Sequence, residues 1–199
     1  ENTSMTILQA GHHLGSTMTL FEHKERDNSS RRVLYTGDLR SGDDHGISRL
    51  YPSAEQVADL DALIIEGTNG ITAIRPREEL EGEFIDEVIQ TIKEGGTVVL
   101  PVLGAGRAQE ILTLLRRNIR IFQELNCPIF AEGRSIFSFN EVFSYISDVY
   151  PELLTVHNRS DQGWRALSDG TFKTGVAVSD LNSSSFKGPK IVVVSGGMG

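Results

Sequence analysis

The sequence predicts an α/β protein in two parts, a hairpin-rich first third and a remainder in which strands alternate with helices. Three observations carry that expectation. Residues 17–21 and 32–35 are short runs rich in β-branched and aromatic residues, separated by the polar stretch His23-Lys-Glu-Arg-Asp-Asn-Ser-Ser30. Beyond about residue 70 the apolar residues recur at helical rather than strand spacing. The later apolar runs, Thr97–Leu103 and Lys190–Ser195, are nearly continuous, as strands covered on both faces are.

Taken in order, the chain is already in a strand-like pattern at Met5. Folding the hairpin of residues 17–35 brings the residues just before its first strand beside those just after its second: His12 and Asp38, each in a glycine-flanked loop. A polar loop comes next, then a segment from Pro52 to Ala58 that fits one or two helical turns. Asp61-Ala-Leu-Ile-Ile-Glu66 reads as a central strand ended by a carboxylate. From Glu78 to Lys93 the residues Leu80, Phe84, Ile85, Val88, Ile89 and Ile92 share one helix face. Acidic residues open that helix, Lys93 lies in its last turn, and Gly95-Gly96 ends it. A second helix is expected over about Arg107–Phe122, a strand over Pro128–Ala131, and a third helix over Ser135–Val149 with Phe139, Val142, Phe143 and Ile146 on its apolar face. The pattern weakens from Leu153 to Lys187, and Asn182–Ser185 reads as an exposed loop. The domain boundary is placed near residue 70, giving parts 1–70 and 71–199. A start already strand-like by Met5 and an end in a glycine loop directly after a buried-type strand suggest a piece of a longer polypeptide.

With 199 residues, 39% hydrophobic and 23% charged, the chain has ample sequence for a globular core. A net charge of −8 excludes a uniformly basic nucleic-acid binder, while leaving room for a local basic groove or an active-site metal. The single cysteine, Cys127, excludes an internal disulfide framework and suits a reducing, cytoplasmic setting. No apolar run is long enough to span a bilayer, so no membrane partner is expected.

An imidazole and a carboxylate delivered to one sheet edge can begin a metal site, but a catalytic zinc normally takes three or more protein ligands. On residue types alone, His12 could equally hydrogen-bond its loop and Asp38 be an ordinary turn aspartate. Gly104-Ala-Gly-Arg107 joins a strand end to a helix start, where free N–H groups and the helix dipole favour an anion and Arg107 could grip a phosphate. The plainer reading is a tight turn with Arg107 paired to a neighbouring carboxylate. A dinucleotide fingerprint is disfavoured because Gln109 occupies its third glycine position. His23, His45 and His157 read as surface histidines in polar loops, and Arg116, Arg117 and Arg120 as a solvated helix face with RNA contact as the alternative.

Ala10-Gly-His-His-Leu-Gly-Ser16, followed by Leu34-Tyr-Thr-Gly-Asp38, resembles the third and fourth metal-binding motifs of the metallo-β-lactamase superfamily. Ile64-Ile-Glu-Gly-Thr-Asn-Gly70 resembles the acidic motif that opens the β-CASP insertion. Leu100–Leu112, with its Gly-Arg-x-Gln-Glu helix start, and Val193–Gly199 are similar to later β-CASP turns. The resemblance spans nearly the whole chain and is closest to archaeal or bacterial ribonucleases of the cleavage-and-polyadenylation-factor type.

That resemblance implies part of an αββα metallo-β-lactamase sandwich in 1–70, followed by part of a Rossmann-like parallel α/β β-CASP domain in 71–199. It implies a zinc-dependent nuclease hydrolysing RNA, with single-stranded DNA as another substrate and a homodimer or a processing complex as its assembly. His12 would ligate one zinc ion, Asp38 would bridge two, and Glu66 would act beside them. Gly104, Gly106 and Arg107 would contact substrate. The chain departs from the family pattern in lacking the His-x-His-x-Asp-His motif and the later β-CASP histidines, and in carrying Gly67 and Asn69 where other residues are usual. The fragment alone is therefore expected to be inactive. A non-catalytic β-CASP scaffold and a small-molecule metallohydrolase of the same superfamily are the competing readings.

Overall fold

The computed structural model describes residues 2–40, 52–150, 170–174 and 187–196. His45, His157, Trp164, the Asn182–Ser185 loop and Gly197 lie outside them. The chain divides into two compact units, Glu1–Ile74 and Arg75–Gly199.

The first unit is built on one sheet of strands β1 (Thr3–Gln9), β2 (Thr17–Lys24), β3 (Ser30–Tyr35) and β4 (Ala62–Ile64), in that spatial order. β1, β2 and β3 form an antiparallel meander, and β4 runs parallel to β3. Alternation of side chains sends Leu8, Ala10, Met18, Leu20 and Leu34 to one face, where they form a buried cluster joined by Leu39, Val57 and Leu60. The opposite face carries Met5, Ile7, Phe21, Tyr35 and Ile64, all at least 40% exposed. The hairpin is longer than the residue pattern indicates. His23 and Lys24 belong to β2 because the turn tightens to residues 25–29, where the Asp27 carboxylate accepts from both the N–H and the hydroxyl of Ser29. His23 is therefore an exposed strand residue, its Nδ1 2.8 Å from Thr3 Oγ1, and not a loop histidine. Pro52–Ala58 contributes hydrogen-bonded turns rather than a helix.

The expected central strand at 61–66 is instead a three-residue strand at the edge of this sheet, with all three residues exposed. Its apolar run fixes strand type but not sheet position. What holds it is polar: Asp61 accepts from Arg31 and from the Arg32 N–H, each at 2.8 Å, and returns its own N–H to Arg32.

The second unit contains a parallel sheet of β5 (Thr97–Val102), β6 (Ile129–Glu132) and β7 (Lys190–Ser195), with β7 in the middle. The alternating helices supply the crossovers that parallel strands require. Helix α1 (Arg77–Lys93) packs on β5 and buries Ile85, Val88 and Ile92. The single helix expected over 107–122 is two, α2 (Arg107–Arg117) and α3 (Ile119–Glu124). They part at Asn118, whose side-chain amide donates to the Leu114 carbonyl at 3.0 Å. Helix α4 (Arg134–Val149) packs on α2, β6 and β7 and buries Ile136, Asn140 and Phe143. Phe139 and Val142, expected on its core face, are exposed.

Candidate metal-edge and phosphate sites

Strand direction decides where the first site forms. β1, β3 and β4 all point the same way and β2 the opposite way, so the connection after β1, the loop after β3 and the end of β4 emerge at one edge. The three loops are then stitched together. Gly11 and Leu39 form an antiparallel bridge, and the Arg40 N–H donates to the Ala10 carbonyl at 3.1 Å. His12 follows Gly11 and Asp38 precedes Leu39, so both lie one residue from that bridge, in the loops that it joins. Gly11 and Gly37 hold φ of 70° and 56°, which lets both segments turn into this pairing.

The His12 loop is set by Ser16, whose hydroxyl donates to the His13 carbonyl at 2.8 Å and accepts from the His13 N–H at 3.1 Å. His13 is turned to its own loop, its Nδ1 2.8 Å from the Leu14 carbonyl, with its ring edge-on to His12. The third element is Glu66, whose Oε1 accepts from the Leu39 N–H at 2.6 Å. The Glu66 N–H reaches the Thr36 hydroxyl at 3.4 Å. Hydrogen bonds from the Thr68 side chain and the Leu39 N–H, with a smaller contribution from nearby His12, hold the Glu66 carboxyl below the usual carboxylate range. Glu66 thus ties the Asp38 loop down. It belongs to the edge of the hairpin sheet, through β4, and not to the parallel sheet of the second unit.

Imidazole and carboxylate are donor types that suit zinc. Among the described residues, however, no group of three or more His, Cys, Asp or Glu could hold a metal ion. His12 and Asp38 alone are fewer donors than a catalytic zinc normally takes.

The second candidate lies at the carboxyl ends of β5, β6 and β7. Here the backbone N–H groups expected to receive an anion are largely engaged within the chain. The Gly106 N–H donates to Gln109 Oε1 at 2.8 Å, Arg107 N–H to the Ala105 carbonyl, and Ala108 N–H to the Leu103 carbonyl. Arg107 itself is half-exposed and meets Glu110 at 2.8 Å, the same carboxylate oxygen that Arg77 approaches at 3.5 Å. Gly104 has a packing reason of its own, since a Cβ there would stand 2.2 Å from the Ser135 hydroxyl. Arg116 of the basic helical run donates to the Thr171 hydroxyl.

The residue that residue-pattern reasoning underuses is Gln109. It is 1% exposed, and its amide nitrogen donates to the Gly104 carbonyl at 3.1 Å and to Asn140 at 2.9 Å. Its signal is in the sequence: an amide three positions after a helix N-cap is half of a capping box.

No protein-family model matches the chain. Individual proteins do. It is 37% identical to an RNase J-like protein of Methanocaldococcus jannaschii over 80% of its own length. It is 32% identical to the transcription termination factor FttA of Methanococcus maripaludis over 98% of its length, and 32% identical to the endoribonuclease YSH1 of Mycosarcoma maydis over 96%. The chain belongs to the β-CASP family of the metallo-β-lactamase superfamily. This β-CASP chain spans 37%, 30% and 20% of the length of those three relatives. Its mixed sheet followed by a parallel α/β unit is part of the β-CASP metallo-β-lactamase fold. Among the described residues, no helix is long and apolar enough to cross a membrane.

Proposed function

We propose that this chain is part of a zinc-dependent β-CASP ribonuclease that hydrolyses RNA phosphodiesters in mRNA 3′-end processing or decay. In this reading residues 1–70 are the C-terminal part of the metallo-β-lactamase domain and 71–199 the N-terminal part of the β-CASP domain. The observation that carries the reading is the Gly11–Leu39 bridge, which with the Glu66 bond to Leu39 gathers His12, Asp38 and Glu66 at one sheet edge. The relatives named as nucleases support the substrate class.

His12 would bind one ion and Asp38 would bridge two. Bound ions supply Lewis-acid polarisation and neutralise charge building on phosphate oxygens. Glu66, ionised and tied to the Asp38 loop, would orient a histidine assisting the leaving group. Arg107 would contact an RNA phosphate from the turn that Gly104 and Gly106 shape, exchanging its hold on Glu110 for the substrate. Single-stranded DNA is a further substrate class, and a homodimer or a processing complex in the cytoplasm the setting. Retention of His12, Asp38 and Glu66 weighs against a non-catalytic scaffold, and the parallel α/β unit against a small-molecule hydrolase.

The test uses the parent protein with His12→Ala and Asp38→Ala. Each variant should lose RNA cleavage and bind less zinc by metal analysis. Full cleavage by both would reject the assignment. Arg107→Ala should weaken RNA binding, and unchanged affinity would remove the phosphate contact.

A further inference from the structure

At the opposite edge of the parallel sheet, where β6 and β7 begin, lies a cavity of about 440 Å³ within the second unit. Its size falls in the range that takes small-molecule ligands. Lys173 and Lys187 both line it, and none of the described residues that line it is acidic. In a chain of net charge −8, two lysines lining one cavity, with no acidic residue among its described lining, make a local concentration of positive charge. No ion pair with either lysine is found among the described residues.

The placement is built by the fold. Lys173 is held as a strand neighbour of β6: its N–H donates to the Ile129 carbonyl and its carbonyl accepts from Ala131, both at 2.9 Å. Its ammonium stands 5.7 Å from the centre of the buried Phe130 ring, an aromatic face that steadies a cation without neutralising it. Lys187 reaches the cavity from the segment leading into β7. The remaining wall includes Gln123 and Asn126, residues whose side-chain amides offer both donors and acceptors. Cys127 also lines the cavity, but burial pushes its thiol up to about 11, so at neutral pH it is no nucleophile and the cavity is suited to binding rather than covalent chemistry.

We propose that the cavity between Lys173 and Lys187 binds a nucleotide, the lysines taking its phosphate and the Gln123 and Asn126 amides its polar sugar or base. The volume exceeds what a bare phosphate fills, and the amides supply the neutral hydrogen bonds that a phosphate does not need. The nucleotide can come free or as one unit of an RNA chain. The inference stands independently of the metal site.

Adenosine monophosphate, inorganic phosphate and a short single-stranded RNA are titrated into the full chain by calorimetry, with amide NMR shifts followed in parallel. The proposal expects saturable binding of the mononucleotide, the RNA or both, with shifts at Gln123, Asn126 and Cys127. The double variant Lys173→Gln/Lys187→Gln should weaken that binding about tenfold or more, the loss of two charge-assisted contacts. Lys187→Gln alone, at an exposed position, should weaken it without disturbing the fold. Binding of the mononucleotide alone assigns the free ligand, and binding of RNA alone assigns the polymer. No binding of any probe, undiminished binding in the double variant, or inorganic phosphate binding as tightly as the mononucleotide overturns the proposal.

Discussion

Replacing Gly104 by alanine tests whether the turn after β5 is shaped by packing against α4. The added Cβ would stand 2.2 Å from Ser135 Oγ, 2.6 Å from Ser135 Cβ and 3.4 Å from the Ile136 nitrogen. Non-bonded carbons rest about 3.5–4.0 Å apart, so a relative shift of roughly 1 Å is needed. Rotating the Ser135 hydroxyl relieves the first contact but not the second, because the Ser135 Cβ moves only with the helix backbone. Overpacking of this kind costs about 1–3 kcal/mol. Ser135→Gly removes both offending atoms, and by itself costs about 1 kcal/mol as a glycine in a helix. The double variant should therefore be more stable than Gly104→Ala alone, although Ser135→Gly is destabilising on its own. In a double-mutant cycle the coupling should be about 1–2 kcal/mol. Urea denaturation of the four proteins, followed by helical circular dichroism, reads it directly. Strictly additive losses would refute the packing argument.

Other positions give equally direct outcomes. Leu20→Ala, at a position 4% exposed in the first unit's core, should cost about 2–5 kcal/mol in denaturation experiments. Glu66→Gln should speed hydrogen exchange at the Leu39 amide, since a neutral acceptor replaces the carboxylate at that short bond. Asp61 should titrate below its ordinary 3.8, because the Arg32 N–H and then the Arg31 side chain favour its charged form. Its contribution to stability is thus present above that ordinary value and lost as pH falls through the lower folded value; a carboxyl NMR midpoint at or above 3.8 would contradict this. Cys127, raised from an ordinary 9.0 to about 11, should be alkylated about a hundredfold more slowly near pH 8 than an unperturbed thiol, with the difference abolished in urea.

What the sequence makes legible is local. The hairpin, the amphipathic face of α1 and the buried strand β7 each announce themselves by side-chain period within a dozen residues. The common edge of the loops that carry His12 and Asp38 is legible for the same reason, since strand direction alone returns the chain to the edge it left. The features that pattern misses all depend on a distant partner. An apolar run at 62–64 does not say whether both its neighbours are present, and the break at Asn118 depends on one side chain outcompeting the helix ladder. Arg107 is visible as a cation able to pair with a neighbouring carboxylate, but not that Glu110 is shared with Arg77. The turn beside it promises open N–H groups, yet Gln109, buried against Asn140, takes that of Gly106.

The Gly11–Leu39 bridge borrows its alignment from elsewhere in the sheet. Strand registry there is policed by the oily side: sliding one strand by a single residue would throw Leu8, Leu20 or Leu34 into water. The same slip would displace the Gly11–Leu39 bridge and the His12 and Asp38 loops on either side of it. Placement of the two polar loops is therefore inherited from leucines on the strands, and a lesion far from that edge could disturb it by moving the frame on which it hangs.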